Sequence, residues 1–132
     1  IKTIGDAYMV AAGIPEPTPD HLERLANMAL DMQRTLTEIA NDKGLELSMR
    51  MGLASGPVMA GVIGRQKFTY DVWGDTVNLA ARLEGLSAPG RILICSTCKQ
   101  RLSSRFAFQS RGAIDIKGVG PRETWYLISA IA

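Results

Sequence analysis

A strand that runs directly into a helix constrains this chain more than any other feature. Over FTYDVWGDTVNLAARL, Phe68 to Leu83, an aromatic and β-branched run (Phe68, Thr69, Tyr70) passes Asp71 and the turn-like Gly74-Asp75. Apolar residues then recur at helical spacing through Val77, Ala80, Ala81 and Leu83. A helix start exposes unpaired backbone N–H groups, Asp75 suits the N-cap, and the positive end of the helix dipole favours a phosphate nearby. Asn78 and Arg82, four residues apart, project from one helix face. The amide both donates and accepts, and the guanidinium is a permanently charged fork suited to phosphate oxygens. Together they can hold a sugar and a phosphate. The same two residues also make an ordinary solvated helix face, and Asp71 alone is a good turn former.

The rest of the chain surrounds this unit with a mixed helix and strand pattern. With 132 residues, 46% of them hydrophobic, there is material for one core and one domain. The net charge of +2 comes from scattered basic residues, which gives no reason to expect a nucleic-acid or membrane partner. No apolar run approaches bilayer length, and no signal-peptide pattern or internal repeat is present. Ile1 to Ile14 reads as a hairpin turning at Gly5-Asp6, with Lys2 at a strand position and Asp6 on the turn.

Pro15 to Pro19 leads into an amphipathic helix from about Asp20 to Asn41, whose apolar stripe is Leu22, Leu25, Ala29, Met32, Leu36 and Ile39. Its start is either an Asp20/Glu23 capping box or Thr18-Pro19, and Met28 and Met32 read as core filler. Leu45 to Met51 alternates like a half-buried strand with Arg50 on the polar face, and Val58 to Ile63 forms a second strand after Ser55-Gly56-Pro57. Arg91 to Cys95 reads as a strand, Thr97 to Ser103 as a short helix, and Phe106 to Ser129 as a hairpin around Lys117-Gly118-Val119-Gly120-Pro121. Glycines beside a lysine let backbone and ammonium approach a phosphate, although a glycine-rich turn with a surface lysine has the same composition.

Cys95 and Cys98 form a C-x-x-C. With no other cysteine and only the distant His21 as histidine, a four-ligand structural zinc is not assembled. The two read as reduced thiols at a strand-to-helix junction or as a redox pair. His21, beside Asp20 at a helix start, reads as an exposed polar residue.

YDVWGDTVNLAAR resembles the signature segment of the class III nucleotidyl cyclases, which make cyclic AMP or cyclic GMP from the nucleoside triphosphate. IKTIGDAYMVAAGIP, MRMGLASGPVMAGVIG and IDIKGVGPRETWYLI resemble further segments of that family, in the same order, so the resemblance covers nearly the whole chain. It implies a ferredoxin-like α+β domain, an antiparallel sheet with helices packed on it. It also implies roles. Asp6 matches one of two aspartates that hold a pair of divalent cations, magnesium or manganese. Lys2 and Asp71 match the residues that contact adenine, Asn78 the one that positions the ribose, and Arg82 the one that opposes charge on the α-phosphate. Arg50 and Lys117 match residues that hold the triphosphate. The family's other metal aspartate stands on an N-terminal strand, followed by two helices, with no match here. The resemblance therefore implies a partial, N-terminally truncated catalytic domain over residues 1–132, with weak or no turnover by itself.

The implied reaction is attack of the ribose 3′-hydroxyl on the α-phosphorus with loss of pyrophosphate, the two cations activating the hydroxyl and neutralising phosphate charge. Adenine presents a donor at N6 and an acceptor at N1, and guanine the reverse at O6 and N1. Lys2 only donates and ionised Asp71 only accepts, which complements adenine and implies ATP as substrate. Family sites lie at a head-to-tail dimer interface; this chain carries both sets of residues, which suits a homodimer. A cytoplasmic location, free or as the cytosolic part of a membrane-anchored protein, goes with this reading. The alternatives are a catalytically silent cyclase-like module that binds nucleotide or a partner, and an unrelated α/β interaction domain.

Overall fold

The structure is a computed structural model that describes residues 1–14 and 16–131, so Pro15 of the proline-rich helix entry lies outside the described residues. Apolar runs separated by glycine turns give eight strands and three helices among them. In chain order these are β1 (Lys2–Ile4), β2 (Ala7–Met9), α1 (His21–Lys43), β3 (Met51–Leu53), β4 (Met59–Ile63), β5 (Thr69–Trp73), α2 (Asp75–Leu86), β6 (Ile92–Cys95), α3 (Ser96–Leu102), β7 (Phe106–Ile116) and β8 (Gly120–Ala130). The main sheet has the order β3-β6-β8-β7, while β1-β2 and β4-β5 are separate two-stranded antiparallel hairpins. Within the main sheet β6-β8 and β8-β7 are antiparallel, and β3 runs parallel to β6.

β6 is the centre of the molecule because its sequence has no polar alternation. Ile92, Leu93, Ile94 and Cys95 are all buried, as a strand covered on both faces requires. Around it pack Leu22, Ala26 and Ala29 of α1, Leu83 of α2, Cys98 and Leu102 of α3, Phe106 and Ile116 of β7, and Leu127 of β8. α2 reaches this core through Gly52 of β3. A Cβ built on Gly52 would stand 2.3 Å from the Glu84 nitrogen and 2.5 Å from the Ala80 carbonyl oxygen, so strand and helix backbones touch where no side chain fits.

Several expectations are corrected. Leu45 to Met51 is not a strand along its length: only Met51 joins β3, and Leu45 and Leu47 are exposed. β3 pairs with β6 alone and only over Met51–Leu53, so the residues before it have no ladder partner among the described residues. The capping box before α1 is not made. Asp20 forms no side-chain cap bond, and its carboxylate takes Arg24 at 3.0 Å instead. His21 is half-buried rather than exposed, its Nδ1–H donating to the Thr18 carbonyl at 2.8 Å. The stripe on α1 enters the core only in its first half. Met28 is exposed rather than core filler, and Met32, Leu36 and Ile39 line an open groove with Met49. No described helix is long and apolar enough to cross a membrane.

Candidate active site

Several of the candidate residues stand on or beside the turn from β5 into α2. Gly74, not Asp75, occupies the N-cap; its φ of 124° is a conformation that a side chain would strain, and Asp75 becomes the first helical residue. The carboxylate of Asp75 still complements the positive helix end. The first turn of α2 is tied down from outside, because the Thr76 hydroxyl donates to the Pro57 carbonyl at 2.7 Å. Asn78, exposed, and Arg82, half-buried, follow on one face.

Lys2 and Asp71 are brought together from opposite ends of the sequence. Lys2 Nζ stands 2.9 Å from Asp71 Oδ2, with the two side chains 41% and 19% exposed. The pair joins the β1–β2 hairpin to β5. The Lys2 ammonium, and then the Val72 N–H that donates to Asp71 Oδ1 at 2.8 Å, hold the Asp71 carboxyl below its ordinary value of 3.8, so it is ionised at neutral pH. The Ile1 backbone nitrogen donates to the Met9 carbonyl at 2.6 Å, across the open end of the hairpin next to Lys2.

Lys117 sits exposed in the tight turn between β7 and β8, and the next residue faces Arg82: a Cβ built on Gly118 would lie 3.9 Å from Arg82 Nη2. The β7–β8 turn and the Asn78/Arg82 face of α2 are therefore neighbours. Lys2, Asp71, Asn78, Arg82 and Lys117 stand on or beside the continuous β5–α2 unit.

Asp6 and Arg50 are not part of this grouping. Asp6 occupies the β1–β2 turn, at the end of the hairpin opposite Lys2. With three paired residues per strand, that separation is about 10 Å. Arg50 Nη2 lies 3.6 Å from Glu84 Oε1, and Glu84 is two positions beyond Arg82, about 200° round the helix. Arg50 thus meets the side of α2 that faces away from Asn78 and Arg82. Glu84 and Thr76 were not singled out by the sequence; each acts on a residue distant along the chain, and neither belongs to a local pattern.

Among the described residues no three His, Cys, Asp or Glu side chains converge as a metal site would require. A hard cation such as magnesium takes about six oxygens and keeps several waters or substrate oxygens among them. Asp6, on the β1–β2 turn, offers one carboxylate of that kind. A resident two-ion centre does not fit the described residues alone.

Comparison with known proteins supplies the context. Residues 1–129 match the family model of the adenylate and guanylate cyclase catalytic domain. The chain is 46% identical over 128 residues to an adenylate cyclase of Mycobacterium tuberculosis, a match covering 97% of this chain and 29% of the relative. It is 40% identical over 130 residues to the guanylate cyclase soluble subunit beta-2 of Rattus norvegicus, covering 97% of this chain and 19% of that one. The chain thus spans less than a third of the length of these relatives. Among solved structures it resembles the guanylate cyclase domain of RhGC from Catenaria anguillulae in complex with GTP, with a TM-score of 0.91 and 37% identity over 98% of this chain and 71% of that one. It also resembles the catalytic core of a rhodopsin-guanylyl cyclase with converted specificity in complex with ATPalphaS, with a TM-score of 0.88 and 39% identity over 97% of this chain and 70% of that one.

Proposed function

The chain belongs to the adenylate and guanylate cyclase catalytic domain family, and from that membership we propose that it serves an adenylate cyclase converting ATP to 3′,5′-cyclic AMP and pyrophosphate. The observation that carries the choice of base is the Lys2–Asp71 pair at 2.9 Å. Relatives named for either nucleotide are similar to this chain, so family membership leaves the base open and the reading rests on the Lys2–Asp71 pair. An ammonium that only donates, held beside a carboxylate that only accepts, matches the N1 acceptor and N6 donor of adenine. Guanine would set its O6 and N1–H against the wrong partners, and polar groups left unpaired are what reject a wrong base strongly.

In this reading Asn78 orients the ribose so that its 3′-hydroxyl lies in line with the α-phosphorus. Arg82 opposes the charge that grows on the α-phosphate as the new bond forms, an interaction stronger in the transition state than in the ground state. Lys117, on the turn beside Arg82, holds the departing pyrophosphate. Arg50 and Asp6, remote from this grouping in the same chain, serve the site of a second copy in a head-to-tail homodimer. Arg50 there binds triphosphate, and Asp6 is one carboxylate toward a magnesium or manganese pair. The chain is then part of the catalytic domain, and the second metal aspartate comes from the family domain's N-terminal strand.

A second reading is a catalytically silent module that binds nucleotide, since among the described residues no three His, Cys, Asp or Glu side chains gather as a metal site. Cyclic nucleotide formation by the full-length protein, supplied with ATP or GTP and manganese, separates the two. Cyclic AMP from ATP, little cyclic GMP from GTP, and loss of that preference in Asp71→Ala support the adenylate cyclase. Nucleotide binding without product from a folded dimer overturns it in favour of the silent module.

A further inference from the structure

The two cysteines lie outside everything assigned so far. They are the only thiols in the chain. Cys95 ends β6 and Cys98 lies in the first turn of α3, with their sulfurs 3.7 Å apart. Both are free and buried, Cys98 completely and Cys95 with 8% of its surface open. Cys98 Sγ also stands 3.9 Å from the Leu53 carbonyl, a weak hold on a thiol, with the Ser55 backbone and the Arg101 charge nearby.

We propose that Cys95 and Cys98 form a reversible dithiol–disulfide site that is oxidised by hydrogen peroxide, with Cys95 as the attacking thiol and Cys98 as the resolving one. The difference in exposure sets the roles: a reagent from solvent meets Cys95, and the enclosed Cys98 meets only Cys95. The small opening at Cys95 suits an oxidant scarcely larger than water and disfavours bulky disulfides. Contact between the sulfurs leaves about 1.7 Å to close to a disulfide bond length, within reach of side-chain rotation at C-x-x-C spacing. The environment agrees with this order. The Cys98 thiol donating to Cys95, assisted by the backbone N–H groups of Cys98 and Thr97, outweighs burial and lowers Cys95 to about 6, while the same contact and burial push Cys98 up.

The step balances without a further reactant. The Cys95 thiolate attacks one peroxide oxygen, the O–O bond breaks, and the leaving hydroxide takes a proton to become water, leaving Cys95 as a sulfenic acid. Cys98 sulfur then attacks Cys95 sulfur, the S–O bond breaks, and the Cys98 proton leaves with the hydroxide as a second water. Two thiols lose two electrons and one peroxide gains them.

The test is thiol titration and intact mass of the folded full-length protein before and after hydrogen peroxide, followed by peptide mapping without reduction. Within the peptide that holds Cys95 and Cys98, the expected result is a fall from two free thiols to none, a mass loss of about 2 Da with no adduct, and full recovery with dithiothreitol. In Cys98→Ser, dimedone should label Cys95 as a trapped sulfenic acid. Both thiols surviving peroxide while the chain stays folded overturns the proposal, as does a disulfide that links two chains. The wild-type measurement stands alone if the variant does not fold.

Discussion

Arg82 makes no ion pair among the described residues, and its free guanidinium faces the turn that carries Lys117. In the proposed function it meets charge that grows in the transition state. Arg82→Ala in the full-length protein should lower kcat about 100- to 1000-fold, or about 2.7–4 kcal/mol, and move KM for ATP far less. A rise in KM at unchanged kcat would make Arg82 a ground-state binding group instead. Asp71 offers a second test through pH. Its carboxyl is held below 3.8 in the folded chain by Lys2, so the stabilisation from the pair is present above that ordinary value and is lost as pH falls through the lower folded one. The preference for ATP over GTP should therefore stay constant down to about pH 5, because Asp71 remains ionised there. A preference that decays between pH 8 and pH 5 at constant fold would contradict the assignment; the measurement is the ratio of kcat/KM values across that range. Of these side chains, Asn78 and Arg82 were visible as a pair through helical spacing. The meeting of Lys2 and Asp71, 69 positions apart, came only from resemblance to a family, since no local period records a contact of that range.

Among the elements, α2 shows why some boundaries were legible and others not. Its apolar spacing predicted the helix, but the N-cap fell one residue earlier than the expected Asp75 because the chain leaves β5 through a backbone conformation at Gly74 that favours glycine. The alternation from Leu45 to Met51 is a real strand pattern without a neighbouring strand among the described residues, and a pattern alone cannot supply the ladder. β6 was legible as a strand, expected over Arg91 to Cys95 and found over Ile92–Cys95, whereas its place in the middle of the sheet came from its neighbours in space. Contacts between elements were the hidden part. Gly52→Ala would push a methyl group into the α2 backbone at Ala80 and Glu84, where no flexible side chain can yield. The expected cost is about 1–3 kcal/mol, read as a lower denaturant midpoint. Thr76→Val tests the other attachment of α2. Losing the bond to Pro57 should cost about 0.5–1.5 kcal/mol and lower kcat more than it raises KM, since the helix start positions Asn78 without touching substrate. Unchanged kinetics with lowered stability would leave Thr76 a purely structural tie.

For the whole molecule, the decisive fact is the division of candidate residues within one chain. Lys2, Asp71, Asn78, Arg82 and Lys117 gather along the β5–α2 edge, whereas Asp6 lies at the far end of its hairpin and Arg50 reaches Glu84 on the other side of α2. Within one chain Asp6 and Arg50 are thus set apart from the other five. A head-to-tail two-fold dimer resolves this, because each site then takes Asp6 and Arg50 from one copy and the remaining five from the other. The arrangement predicts complementation between two inactive variants. Asp6→Ala and Arg82→Ala, each inactive alone, should regain activity when mixed and allowed to exchange subunits, since a mixed dimer keeps one site with both groups intact. With free exchange at equal amounts, half the dimers are mixed and each has one of two sites working, so the recovered rate should approach about a quarter of the unmutated protein's. A site built within one chain gives a different result: every copy would carry one defect, and mixing would restore nothing. Giving the two variants different affinity tags and co-purifying them alongside the assay keeps the outcomes distinct, because silence from a mixture shown in this way to contain mixed dimers rejects the shared site, whereas recovery cannot arise from separate copies.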